Sequence, residues 1–334
     1  MQILVNGELS IDNAGNTGKT NAKEGANLDL NNWMEKLENA SYVSTKEICA
    51  VLTLAEKIEK PILVEGPPGA GKTYLAKAAA KAAGAKLIRL QCYEGIDVSK
   101  AIYEYNYGKQ LLYLNALRDK VSEIINGTKS MAVSIRLLDR EVPFWGDEFL
   151  VRRPILEAIT PEDDQPRVLL VDEIDRSDRE FESLLLETLS DWSVSIPEYG
   201  TIMAKKKPLV VLTSNKTRDL SDALRRRCLY LWLSLPDRLR ESKIIQTQVP
   251  GAGKEFADKI AGLIQEYRKM SPKHVPSISE AVELAAALLN TAGKDFKIDD
   301  AEIALSVFVK NKDDIGLGKK AVEKTFLRRD VNVE

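Results

Sequence analysis

The sequence predicts an α/β fold, a P-loop three-layer sandwich with a mainly parallel five-stranded sheet, followed by a small all-helical lid domain. Three observations carry that expectation. Five short apolar runs, Ile62 to Val64, Lys86 to Leu90, Val168 to Val171, Leu209 to Leu212 and Leu229 to Leu233, read as buried strands, because a strand covered on both faces shows continuous apolar residues. Helical segments separate them, clearest at Thr73 to Ala83 and Asp178 to Trp192, and strands alternating with helices build a parallel sheet between helical layers. After Pro236 the strand runs cease, and apolar faces recur at helical spacing over Phe256 to Tyr267, Ile278 to Leu289 and Ala301 to Val309.

Taken in order, residues 1–30 open with an apolar stretch, Ile3 to Val5, and then turn rich in Asn, Gly, Lys and Thr. Such a composition buries little, so a mobile N-terminal segment is expected there. From about Leu30 to Lys60 apolar residues recur at helical spacing, with Val51, Leu52, Leu54, Ala55 and Ile58 forming a helix that leads to Pro61 and the first core strand. The expected division is an N-terminal segment over 1–30, a sheet-bearing α/β domain over 31–235 and a helical lid over 236–334. A chain of 334 residues with 44% hydrophobic content can fill both cores.

Composition excludes several classes. With 48 basic and 50 acidic residues the formal charge is -2, which provides no general field for a polyanion, so nucleic-acid binding would have to rest on a local patch. Cys49, Cys92 and Cys228 are far apart and form no C-x-x-C pair, which fits a reducing compartment and neither a disulfide framework nor a zinc site. The single histidine, His274, lies among Ser271, Pro272, Lys273 and Pro276, so it reads as a loop residue and not as part of a metal centre or a Ser-His-Asp triad. No basic segment leads into an apolar core, and no run of about 18 apolar residues occurs. A soluble cytoplasmic protein without membrane insertion is expected.

The chemistry begins at Gly66-Pro67-Pro68-Gly69-Ala70-Gly71-Lys72-Thr73, which follows the first strand and opens an alanine-rich helix. This is G-x-x-x-x-G-K-T. Its glycines allow a tight backbone path that turns successive N–H groups inward, and the helix N-terminus adds its positive end, so the loop can enclose the phosphates of ATP. Lys72 would reach the β- and γ-phosphates and Thr73 would ligate Mg²⁺. Two fragments imitate the motif. Gly18-Lys19-Thr20 has Asn13 where the leading glycine belongs, and Gly251-Ala252-Gly253-Lys254 has Gln248 there and Glu255 in place of Ser or Thr; both read as flexible loops.

The strand Val168 to Val171 ends in Asp172-Glu173-Ile174-Asp175. Asp172 would hold Mg²⁺ and Glu173 would polarise the attacking water, while Asp175 suits a helix N-cap. The strand Leu209 to Leu212 ends in Thr213-Ser214-Asn215, which in a parallel sheet places Asn215 between the phosphate loop and Glu173. Then come Arg225-Arg226-Arg227 at a helix end. A guanidinium reaching a neighbouring subunit's γ-phosphate would stabilise transition-state charge, with Arg227 and Arg226 favoured over Arg225; a helix C-terminus also attracts basic residues for its own sake.

This order of elements resembles AAA+ ATPases over roughly Val43 to Val309, and more narrowly the MoxR branch. Leu90-Gln91-Cys92-Tyr93-Glu94-Gly95, Asp172-Glu173-Ile174-Asp175-Arg176, Ile196-Pro197-Glu198-Tyr199-Gly200-Thr201 and Leu224 to Leu229 look like its CoxD-type subgroup. The resemblance implies a homo-oligomeric ring, typically a hexamer, that remodels a partner protein together with a von Willebrand factor A domain protein in the maturation of a metalloenzyme or complex. It also implies a β-hairpin over Ser193 to Ala204, with which the Pro-Glu-Tyr-Gly turn signal agrees. The chain departs from AAA+ lids in one respect, since Pro276-Ser277-Ile278-Ser279-Glu280-Ala281 lacks the arginine such lids carry. Tyr93, Tyr103, Tyr105, Tyr107 and Tyr113 could grip a polypeptide or pack beneath the sheet, and Trp145 to Phe149 poses the same choice. Competing readings are a nucleic-acid-associated motor or restriction-type NTPase, for which Lys205-Lys206-Lys207 offers a basic run, and a small-molecule kinase, which would need a phosphoacceptor pocket.

Overall fold

The five apolar runs pair into one parallel sheet. In the computed structural model, which describes residues 30–119, 122, 130 and 144–327, the strands are β1 (Ile62–Glu65), β2 (Lys86–Gln91), β3 (Tyr103–Tyr105), β4 (Leu150–Arg152), β5 (Arg167–Asp172), β6 (Ser193–Ile196), β7 (Gly200–Met203), β8 (Leu209–Ser214) and β9 (Leu229–Trp232). The main sheet has the order β2-β5-β8-β1-β9, and every pairing in it is parallel. All its carboxyl ends therefore lie along one edge, where ligands of open α/β sheets bind. The expected N-terminal segment, apart from Leu30, lies outside the described residues, as do Ile3 to Val5 and the Gly18-Lys19-Thr20 fragment.

The helices are α1 (Leu30–Asn39), α2 (Lys46–Ile58), α3 (Lys72–Ala82), α4 (Val98–Ala101), α5 (Tyr107–Ala116), α6 (Pro154–Ile159), α7 (Arg179–Asp191), α8 (Asp222–Arg227), α9 (Arg238–Gln248), α10 (Lys254–Lys269), α11 (Ile278–Thr291), α12 (Ile298–Ile303), α13 (Leu305–Phe308) and α14 (Ile315–Leu327). Alternation along each strand divides the core. Leu63, Leu169, Val171 and Leu212 pack against α6, α7 and α8, while Ile62, Val64, Leu170 and Val211 pack against α1, α2 and α3. Beyond Pro236 a separate apolar cluster is built from helices and the turns between them, around Tyr267, Leu284 and Phe308.

Three elements differ from expectation. The helix read over Leu30 to Lys60 is two, α1 and α2, separated where Ser41 takes a left-handed backbone at φ 63°, and Thr45 then caps α2 by accepting from the Ile48 N–H. The helix read over Ala301 to Val309 breaks at Ala304, whose ψ of 1° leaves the α-helical path, and this turns Leu305 and Phe308 into the core. Asp175 is not a cap; Asp178 caps α7 through the Phe181 N–H. The hairpin read over Ser193 to Ala204 is present as antiparallel β6 and β7, with Val194 and Ile196 buried.

Helix α9, whose sequence is too polar to announce itself, is fixed by charge. Glu241 is fully buried and accepts from Arg268 at 2.8 and 2.9 Å and from Gln265 at 2.7 Å. Burial pushes its carboxyl above the usual range while Arg268 pulls it back down. Arg268 also donates to Pro276 O at 3.0 Å, which orients the chain entering α11. Removing one partner of a buried pair strands the other, so Arg268→Ala is expected to cost about 3–5 kcal/mol of stability. Urea unfolding checks this; the Arg268→Met, Glu241→Leu double variant should recover most of the loss, and an unchanged midpoint for Arg268→Ala would count against a structural role for the pair.

Candidate active site

Helices α9 and α11 close over the carboxyl edge of the sheet and leave a cavity of about 530 Å³ lined by Pro68 to Tyr74, Asp172, Glu173, Thr213 and Asn215 from the sheet side. The loop that enters it depends on glycine twice. Gly69 has φ +76° and a Cβ there would lie 2.3 Å from Ser277 Cβ; Gly71 has φ +87°, a region that side chains other than glycine rarely adopt. Because Gly69 gives way, the Ile278 N–H donates to Gly69 O at 3.1 Å and α11 rests directly on the loop. The α11 cap is Ser277 with Glu280. Burial would raise the Glu280 carboxyl, but the Ser277 backbone and hydroxyl and His274 outweigh it and hold it low. His274 is thus a loop residue with a partner, 2.9 Å from Glu280.

Lys72 folds back to donate to Gly66 O at 2.8 Å and Pro67 O at 2.9 Å. Burial pushes its ammonium below the ordinary lysine value, with Asp175, Asp172 and Glu173 opposing that shift. The Thr73 hydroxyl donates to Asp172 Oδ1 at 2.9 Å, and Thr213 donates to the same oxygen at 2.6 Å while accepting from the Glu173 N–H at 2.9 Å. No cluster of three metal-ligating side chains exists among the described residues. Mg²⁺ nevertheless fits, because it prefers hard oxygens and is commonly held by one or two protein groups plus phosphates, and Thr73 and Asp172 are such groups facing the cavity.

Glu173 has φ 57°, an uncommon conformation for a non-glycine residue that costs on the order of 1–3 kcal/mol and clusters at working sites. Its Oε1 accepts from Asn215 Nδ2 at 3.3 Å and its Oε2 from Gln91 Nε2 at 3.0 Å, and Arg176 forms an ion pair with Oε2 at 3.1 Å. Asp175 supplies the brace behind Asn215. It accepts from the Asn215 N–H at 3.2 Å and from the Thr217 N–H and hydroxyl at 2.9 and 2.7 Å; burial would raise its carboxyl, but these bonds win and hold it low.

The arginine cluster divides. Arg225 pairs with Glu65 at 2.9 Å, where Tyr230 donates as well at 3.1 Å, so it anchors α8 to the strand that feeds the phosphate loop. Arg226 and Arg227 are exposed, form no ion pair among the described residues, and do not line the cavity. Gly251 to Lys254 forms the turn into α10, away from the cavity.

Residues 62–232, half of the chain, match the family model of ATPases associated with various cellular activities. The chain belongs to the AAA ATPase family. Among curated relatives, this AAA chain is 31% identical over 146 residues to a Lon protease of Endomicrobium trichonymphae, covering 41% of the chain and 17% of that protein. It is 32% identical over 120 residues to Lon protease 3 of Sorangium cellulosum, covering 35% and 14%. The matched region is thus less than a fifth of each protease. The solved Thermotoga maritima RuvB Holliday junction branch migration motor aligns over 86% of this chain and 68% of its own, at 17% identity and a TM-score of 0.39. No described helix is long and apolar enough to cross a membrane.

Several residues of this AAA site escape a sequence reading. Tyr42, Tyr74, Arg240 and Gln248 line the far end of the cavity, where the Tyr42 and Tyr74 rings lie 5.8 Å apart. Gln248 donates to Ser41 O at 2.8 Å and Tyr74 OH at 2.7 Å, and Arg240 to Val43 O at 3.3 Å. Burial pushes the Tyr42 hydroxyl up to about 12 against the pull of Arg240. No motif marks them, although Tyr74 directly follows Thr73. Within the aromatic segment Tyr105 is buried edge-to-face against Trp145 at 5.0 Å, Phe149 is buried, and Tyr93, Tyr107 and Tyr113 are exposed. Lys207 of the basic run is engaged by Glu59 at 2.6 Å.

Proposed function

We propose that the chain binds ATP with Mg²⁺ and hydrolyses it, and that it uses the cycle as a ring-forming remodelling ATPase acting on a partner protein. The observation that carries the chemistry is the convergence of Lys72, Thr73, Asp172, Glu173 and Asn215 on one cavity from three adjacent strand ends. In this reading Glu173 accepts the proton of a water whose oxygen attacks the γ-phosphorus, and the bond to the bridging oxygen of ADP breaks. Asn215 orients the water or a γ-oxygen, Lys72 and the Gly66–Thr73 backbone neutralise the phosphates, and Arg227 or Arg226 of a neighbouring subunit completes the charge. Mg²⁺ held by Thr73 and Asp172 would supply charge neutralisation at the β- and γ-oxygens. A domain division at residues 235 and 236 makes the helical region the lid, one without the arginine that AAA+ lids carry at the start of the helix after Pro276. The finer assignment, to the MoxR branch and its CoxD-type subgroup with a von Willebrand factor A domain partner, rests on the motif resemblance.

The first test is nucleotide binding. Lys72→Ala removes a charged donor worth about 1.5–3 kcal/mol, so calorimetry should show ATP affinity reduced roughly ten- to a hundredfold. Undiminished affinity would place the phosphates elsewhere.

A further inference from the structure

Asp172 already has a cation. Arg89, on edge strand β2, reaches along the carboxyl edge and donates to Asp172 Oδ2 from NH2 at 2.6 Å and from Nε at 3.1 Å. Its guanidinium is half exposed whereas Asp172 is 2% exposed, so the pair sits where a buried carboxylate meets the solvent-facing side of the site. The register that pairs Gln91 with Asp172 places Arg89 two residues back on the same strand, and the guanidinium also donates to Gln91 Oε1. Thr73 and Thr213 hold the other oxygen. The carboxylate is therefore fully satisfied.

We infer that Arg89 sets the divalent-metal demand of the site, acting as the counter-ion of Asp172 until metal loads. The inference rests on the reading that Thr73 and Asp172 hold Mg²⁺. Two cations cannot share one carboxylate without repulsion, so metal must load against the guanidinium's charge, and Arg89 is a positioning residue that raises the metal concentration required. A purely structural Arg89 would instead brace Asp172 and help the metal bind. The two roles give opposite signs. Loss of Arg89 does not orphan Asp172, because both threonine hydroxyls remain.

The test is Mn²⁺ loading of the ADP-bound full chain, followed by electron paramagnetic resonance, in the wild type, Arg89→Gln and Arg89→Lys. Half-loading of Arg89→Gln is expected at about tenfold lower Mn²⁺, since 1.4 kcal/mol of relieved repulsion is tenfold, and Arg89→Lys should stay near the wild type. Unchanged or weaker loading of Arg89→Gln overturns the inference. Should that variant not fold, a metal titration of the wild type decides: the Arg89 Nε–H resonance, assigned by its loss in Arg89→Lys, should shift as Mg²⁺ is titrated into the ADP complex, and a stationary resonance overturns the inference. Calorimetry of ADP with and without Mg²⁺ separates the two levels, because a wild type that binds ADP under neither condition removes the ATPase reading itself, whereas intact ADP binding with unaltered metal loading removes only the role of Arg89.

Discussion

Glu173→Gln is expected to slow ATP hydrolysis by about 10²–10⁴-fold, the usual contribution of a positioned general base, while leaving ATP affinity in place. The substitution keeps the side chain's size and its Oε1, so Asn215 can still donate to it. It replaces the Oε2 that now accepts from Gln91 and pairs with Arg176 with a donor, and removes the carboxylate charge that makes this cavity-lining side chain a base. Because the left-handed backbone at this residue is set by the strand end and by the bond from its N–H to Thr213, the local fold should survive. Single-turnover phosphate release read beside ATP retention distinguishes the outcomes. Retained ATP with slow release supports the assignment; unchanged turnover rejects Glu173 as the base, and lost binding would mean that the carboxylate holds the nucleotide instead.

Much of this site was legible because the relevant strands are buried on both faces. Ile62 to Val64, Val168 to Val171 and Leu209 to Leu212 are uninterrupted apolar runs, and each ends in residues no core would choose, namely the glycine loop, Asp172-Glu173 and Thr213 to Asn215. Edge strand β2 tells less. Its exposure alternates, so Arg89 and Gln91 look like ordinary solvated residues until the register with β5 brings them to the acid pair. The residues at the far end of the cavity are invisible for a different reason: the bond from Gln248 to Ser41 spans 207 positions, and the docking of α9 on Ser41, Val43 and Tyr74 and of α11 on Gly69 brings the helical region near. Asp175 misled for the opposite reason, since a carboxylate before a helix suits a cap, but Asp178 lies closer to α7 and takes that role.

The arginine cluster shows how a distant partner separates residues that sequence alone treats as equals. Glu65 is buried and lies 160 positions from Arg225; their pairing commits one guanidinium to the subunit's own interior and leaves Arg226 and Arg227 facing outward. If one of these completes a neighbour's site, the rate per subunit should climb with protein concentration as the ring assembles, and Arg227→Ala should lower it by about 10³-fold or more without changing the assembled mass. Arg225→Ala should behave differently, losing stability because Glu65 is left without its counter-ion. Measuring ATPase rate against concentration, with mass determined in parallel, separates these cases. A rate independent of concentration and indifferent to both Arg226→Ala and Arg227→Ala would confine the chemistry to one subunit, and the exposed pair would then be the solvated C-terminal turn of α8, where basic residues are favoured by the helix dipole alone.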